Sequence, residues 1–203
     1  MIAIVDYGCG NLYSLSSSLN FLGIDCKITG DINEIRSADK IILPGVGAFG
    51  DAVKKLHDAG LFDVLKECAA EGKYILGICL GMQMLFEKSY EYGEHEGLGF
   101  IKGEVCPFEG DIEPSLKIPH MGWNKLDLKR NDDPIFKYIN QNDYMYFVHS
   151  FYGKNCAESI IADAEYGVKV PAVVKNANVY GAQFHPEKSG EKGLALLKAF
   201  SEL

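Results

Sequence analysis

The first half of the chain alternates short β-branched runs with segments of helical spacing, and this rhythm limits the fold more than any other feature. Ile2 to Asp6 is a β-branched run ended by Tyr7-Gly-Cys-Gly10, after which Leu12, Leu15, Leu19 and Leu22 fall at helical spacing. Ile24 to Thr29 alternates as a strand, and Asp31 stands where it would N-cap a short polar helix. Lys40-Ile-Ile-Leu43 predicts a buried strand that stops at Pro44. Helical patterns follow over about Asp51 to Ala59 and Leu61 to Ala70. Tyr74 to Ile78 is the next strand and Leu80 to Glu87 the next helix. Parallel strands need crossover helices, so this order predicts a mostly parallel, twisted α/β sheet with helices on both faces.

From Phe100 the strand signals crowd together. They cover Ile101 to Val105, Trp123 to Leu128, Tyr144 to Phe151, Ser159 to Ala164, Ala172 to Val174 and Val179 to Phe184. Lys175-Asn-Ala-Asn178 reads as a hairpin connection, and only Pro134 to Ile139 and Gly193 to Leu203 read as helical. These strands predict an antiparallel extension in the second half. No linker, repeat or low-complexity tract divides the chain, so a single domain over 1–203 is expected.

Composition narrows the function classes. The 203 residues carry a net charge of −8 with no Lys/Arg cluster, which argues against a nucleic-acid partner. An acid at Asp6, no basic leader and no apolar run of membrane-spanning length predict neither a signal peptide nor a membrane anchor. The six cysteines form no CxxC pair and read as reduced thiols of a cytoplasmic protein.

One cysteine stands apart. Gly77-Ile-Cys79-Leu-Gly81 places a thiol where a strand turns into a helix, with glycine two residues before and after it. Such an elbow holds a nucleophile above a sheet edge and crowds those two flanking positions. A helix N-terminus favours the thiolate, and the Leu80 N–H would point at a developing oxyanion. An inert core cysteine is the alternative reading.

Among the five histidines, His57 and His95 read as solvated, and His120 and His149 as packed. His185 ends an apolar strand, with Glu187 two residues on and Pro186 stiffening the link. A carboxylate so placed would orient the imidazole and stabilise its charged form; a surface turn is the alternative. Leu43-Pro-Gly-Val-Gly-Ala-Phe-Gly-Asp51 sets glycines at the carboxyl end of a strand, where backbone N–H groups can approach an anion. No Gly-Lys-Ser/Thr follows it, and Tyr13 breaks any dinucleotide fingerprint begun by Gly8 and Gly10. No metal-ligand spacing is present, and a thiol, histidine and carboxylate acting together would need neither metal nor organic cofactor.

Taken together, Pro44-Gly-Val-Gly-Ala-Phe-Gly50, Gly77-Ile-Cys-Leu-Gly-Met-Gln83 and His185-Pro-Glu187 resemble the class I, triad-type glutamine amidotransferases. The resemblance implies a flavodoxin-like fold and a Cys79–His185–Glu187 triad that hydrolyses L-glutamine to glutamate and ammonia through a thioester. It implies oxyanion contacts from Leu80 and from the Gly45, Val46 and Gly47 loop. Asp6-Tyr-Gly-Cys-Gly-Asn-Leu-Tyr-Ser14, Pro119-His-Met-Gly-Trp-Asn124 and Tyr146-Phe-Val-His-Ser150 resemble one branch of that family. In that branch the glutaminase is a separate subunit, paired as a heterodimer with a (β/α)₈-barrel cyclase of histidine biosynthesis that receives the ammonia. By motif position Gln83, Glu91, Ser150 and Phe151 would contact glutamine. Asn11, Met121, Trp123, Tyr146 and Lys188 would lie towards the cyclase. A stand-alone cysteine hydrolase, a catalytically silent subunit and a glutaminase serving another ammonia acceptor remain as alternatives at this point.

Overall fold

The computed structural model describes residues 1–203. Its first half runs β1 (Ile2–Val5), α1 (Leu12–Phe21), β2 (Cys26–Thr29), α2 (Ile32–Ser37), β3 (Lys40–Gly45), α3 (Phe49–Asp58), α4 (Leu61–Ala70), β4 (Tyr74–Cys79) and α5 (Leu80–Gln83). Asp31 caps α2 by accepting hydrogen bonds from the Asn33 and Glu34 N–H groups, 2.8 and 3.1 Å. Successive strand residues feed opposite apolar layers. Ala3, Val5, Ile41, Leu43 and Ile75 pack on one face of the sheet, and Ile2, Ile4, Ile42, Leu76 and Ile78 on the other. Both faces are buried, as the continuous apolar runs require.

The second half contributes β5 (Phe86–Ser89), β6 (His95–Glu96), β7 (Ile101–Pro107), β8 (His120–Lys125), β9 (Asp127–Leu128), β10 (Tyr144–His149), β11 (Phe151–Lys154), β12 (Ile160–Glu165), β13 (Lys169–Asn176), β14 (Val179–Ala182) and α6 (Gly190–Glu202). The main sheet has eight strands in the order β2-β1-β3-β4-β14-β13-β12-β9. Its first five are parallel, and β13, β12 and β9 extend it antiparallel. One pairing positions the site. β14 lies parallel to β4 with Ala182 opposite Ile78, so the segments leaving both strands emerge at the same sheet edge.

Several boundaries differ from the sequence expectation. β3 runs through Pro44 to Gly45, because its pairing with β1 ends at Ile42 and leaves one side open for a residue without an N–H. The helix expected over Leu80 to Glu87 is a single turn, and the chain then becomes β5, sandwiched between β6 and β7. Met82, Met84, Leu85 and Phe86 are all fully buried, so no polar face marked where the helix should end. Trp123 to Leu128 divides between β8 and β9, and Tyr144 to Phe151 divides at Ser150 between β10 and β11, each part pairing with a different strand. Pro134 to Ile139 forms only a 3₁₀ turn over Pro134–Phe136.

Candidate active site

Cys79 sits at the junction of β4 and α5 with φ 55° and ψ −112°, a backbone conformation that is strained for any residue but glycine. The neighbouring glycines make room for it. A Cβ on Gly81 would lie 1.9 Å from the Leu43 carbonyl oxygen, and one on Gly77 would lie 2.6 Å from the Gly81 oxygen. Gly45 pairs with Cys79 across β3 and β4, and its Cβ would meet the Gly81 nitrogen at 2.7 Å. Three glycines thus let β3, β4 and the α5 turn close on one another. The Cys79 thiol is 8% exposed, 3.8 Å from the Val148 carbonyl and 4.0 Å from the Gln183 amide nitrogen. Because α5 has four residues, it offers Cys79 the free N–H groups of one turn rather than a long helix dipole.

His185 follows β14, and its N–H donates to the Tyr146 carbonyl at 3.0 Å. Its Nδ1 is 2.9 Å from Glu187 Oε1, which also accepts from Asn11 Nδ2 at 3.2 Å. That leaves the second ring nitrogen available to Cys79, which lines the same pocket. Both side chains of the His–Glu pair are almost fully buried. Burial alone would lower the His185 pKa, yet hydrogen bonds and charge from Cys79 and Glu187 outweigh it and push it up to about 9. Burial likewise works to raise Glu187, but its bond and charge interaction with His185 hold the carboxyl below the usual range. Ser189 locks the turn: its hydroxyl donates to the His185 carbonyl at 2.6 Å and accepts from the Tyr146 N–H at 2.9 Å.

Cys79 and His185 open into a pocket of about 340 Å³ that is also lined by Val46, Gly47, Gln83, Glu91, Ser150 and Phe151. That is room for a small polar molecule. A family model described as glutamine amidotransferase class-I matches residues 3–202. The chain belongs to the class I glutamine amidotransferases. Curated relatives span its whole length. A Listeria monocytogenes protein named imidazole glycerol phosphate synthase subunit HisH is 50% identical, with 100% of this chain and 96% of that protein covered. Proteins of the same name from Caldanaerobacter subterraneus and Lactococcus lactis are 50% and 51% identical, covering 100% and 99% of this chain and 98% of each relative. Among solved structures, one described as a glutamine amidotransferase has a TM-score of 0.77 at 20% identity, covering 100% of this chain and 98% of its own. PurLQS from Thermotoga maritima has a TM-score of 0.77 at 21% identity, covering 99% and 97%. These two likenesses are likenesses of fold.

Within this amidotransferase, the residues singled out in the sequence take distinct places. Val46 and Gly47 line the pocket beside Leu80, whereas Gly45 is committed to the close approach under the elbow. Gly47 holds φ 96°, a value that suits glycine alone. The Gln83 amide nitrogen donates to the Phe151 carbonyl at 2.9 Å and to Gln183 Oε1 at 3.1 Å, so only its oxygen is left to meet a ligand. Glu91 accepts from the Phe49 N–H at 2.6 Å and so caps α3, whose N-cap Ala48 has no side chain for the task. Burial nevertheless raises the Glu91 pKa.

The residues assigned to the partner face come from different elements. Met121 and Trp123 are exposed on the outer face of β8, and Trp123 meets half-buried Tyr146 edge-on at 6.1 Å. Asn11 instead turns inward to Glu187, and exposed Lys188 lines the pocket rim. Sequence reasoning passed over two residues. Gln183, fully buried, aims its amide at Cys79, and its position two residues before His185 on the same strand edge was the available signal. His149 lines the pocket although it is packed as expected; its role comes from partners distant in sequence.

Proposed function

We propose that this chain is the glutaminase subunit of an imidazole glycerol phosphate synthase. It hydrolyses L-glutamine and delivers ammonia to a (β/α)₈-barrel cyclase in the cytoplasm. The observation that carries this reading is the buried Cys79–His185–Glu187 set, with Cys79 and His185 lining one small pocket, in a chain about half identical to subunits of that name over its full length. In this mechanism the Cys79 sulfur adds to the side-chain carboxamide carbon of glutamine. The oxyanion is held by the Leu80 N–H and by an N–H of the Val46–Gly47 segment, where loss of a donor costs about 3–4 kcal/mol of barrier. His185, charged at neutral pH, gives its proton to the departing nitrogen, and ammonia leaves as the C–N bond breaks. It then takes a proton from water, which attacks the thioester; the C–S bond breaks and glutamate and thiolate are regenerated. Glu187 and Asn11 hold the imidazole in register throughout.

The exposed Met121 and Trp123 on β8 supply the apolar anchors for the partner subunit. The test is glutamate release from glutamine by the chain mixed with its barrel cyclase, before and after Cys79→Ser. The reading expects turnover coupled to formation of the cyclised product and its loss in the variant. Glutamate release that persists in Cys79→Ser, or none from the wild-type pair, contradicts it.

A further inference from the structure

His120 and His149 face each other across β8 and β10, His120 Nδ1 lying 3.0 Å from His149 Nε2. His149 Nδ1 lies 2.8 Å from the Phe151 carbonyl, and Asn124 Nδ2 lies 3.3 Å from His120 Nε2. The proton positions follow from chemistry. A carbonyl only accepts, so His149 carries its hydrogen on Nδ1. Burial lowers His149 to about 3 and His120 to about 4, so both rings are neutral at pH 7 and each holds one hydrogen. His149 Nε2 is therefore an acceptor, and His120 Nδ1 must donate to it. His120 Nε2 then accepts from Asn124, whose amide is itself oriented by the Glu165 carbonyl at 2.8 Å and the Lys125 N–H at 2.9 Å. Every donor in the row points the same way.

The row ends on an unusual acceptor. In the β7–β11 ladder the Phe108 N–H goes to the Ser150 carbonyl, so the Phe151 carbonyl faces away from β7. It receives His149 Nδ1 and Gln83 Nε2 instead, which uses both of its lone pairs. Gln83 is thereby turned so that its other N–H reaches Gln183 Oε1, and Gln183 must then point its NH₂ group at the Cys79 sulfur. If the Phe151 carbonyl lost its fixed position, the orientation of both amides would be lost with it.

We propose that His149, oriented by His120 and Asn124, is a positioning residue for glutamine hydrolysis: it fixes the Phe151 carbonyl and, through Gln83 and Gln183, the amide that faces the Cys79 thiol. The role rests on the glutaminase reading above. Neither imidazole exchanges a proton with substrate; their work is to hold one hydrogen-bond direction. An Asn at 149, which keeps a donor near the Nδ1 position, should preserve part of that direction, and an Ala none.

Two measurements test it. The first is nitrogen NMR of the histidine-labelled chain at pH 7, which distinguishes the two neutral tautomers. Nδ1–H on both His149 and His120 is expected, and Nε2–H on His149 would overturn the proposal. The second compares His149→Ala, His149→Asn and His120→Leu with wild type in complex with the barrel cyclase, after thermal melts establish that each variant is folded. His149→Ala should lower kcat and raise the glutamine KM, with a combined loss of about tenfold to a hundredfold, the scale of a small misplacement in an active site. His149→Asn should recover much of that loss, and His120→Leu should lose activity despite filling the space. Wild-type kcat and KM in folded His149→Ala, or equal losses in the Ala and Asn variants, would overturn the positioning role. A wild-type complex that released no glutamate would instead overturn the glutaminase reading, whatever the tautomers.

Discussion

His185 and Glu187 divide the work of one buried ion pair, and the division predicts unequal mutants. In the proposed mechanism His185 transfers protons, whereas Glu187, held by Asn11 on the same oxygen that meets the imidazole, only orients and stabilises it. By comparison with other triads, His185→Ala should lower glutamine turnover by on the order of 10⁶ and Glu187→Gln by on the order of 10⁴. The double variant should be scarcely worse than His185→Ala, because the residues act as a unit. Equal turnover of Glu187→Gln and wild type at saturating glutamine would remove the carboxylate from the mechanism. The raised His185 pKa has a second consequence, with a defined sign. The folded chain binds the imidazolium more tightly than the unfolded chain, so this stabilisation is complete below about pH 6.5 and is lost as pH rises through about 9. The melting temperature should therefore fall between pH 7 and pH 9.5, with a shallower fall in His185→Gln. kcat/KM should decline over the same limb as the proton donor is lost.

At the scale of elements, the elbow is a steric construction before it is a chemical one. Gly81→Ala would drive a methyl group into the Leu43 carbonyl, and neither β3 nor the α5 turn has space to retreat. We expect destabilisation of about 3 kcal/mol, the upper end of the overpacking range, read as a shift in the denaturant midpoint. A near-wild-type midpoint would mean that the junction is looser than its contacts indicate. The small residues at Gly77 and Gly81 were legible in the sequence because their spacing about Cys79 is local. The parallel strands of the first half were legible for the same reason, each being an apolar run bounded by turn residues. The start of β5 was not, since the buried apolar run Met82 to Phe86 carries no period to separate one helical turn from a strand, and β6, only His95–Glu96, is too short and polar to signal a strand. Likewise no local pattern joins His120, His149 and Gln83, which meet only because β8, β10 and α5 converge on the start of β11.

For the whole molecule, the decisive pairing is β4 with β14, which joins the two halves of the chain in parallel and brings Cys79 beside His185. The same edge carries the Val46–Gly47 segment, with Val46 43% exposed and Gly47 in a glycine-only conformation. A loop so loosely covered is a place where a docked partner can favour one backbone state, by no more than its differential affinity for the two. The isolated chain is therefore expected to be a poor glutaminase that the barrel subunit with bound acceptor activates. A hundredfold activation corresponds to about 2.7 kcal/mol of barrier. Glutamate release by the chain alone at the rate of the full complex would contradict this and favour a stand-alone hydrolase. The central claim, however, is that Cys79 alone among six cysteines attacks glutamine. Its most direct test is a glutamine-derived affinity label applied to the complex, followed by peptide mapping. The account predicts modification confined to the Cys79 peptide and prevented by excess glutamine; labelling of any other cysteine with Cys79 unmodified would contradict it.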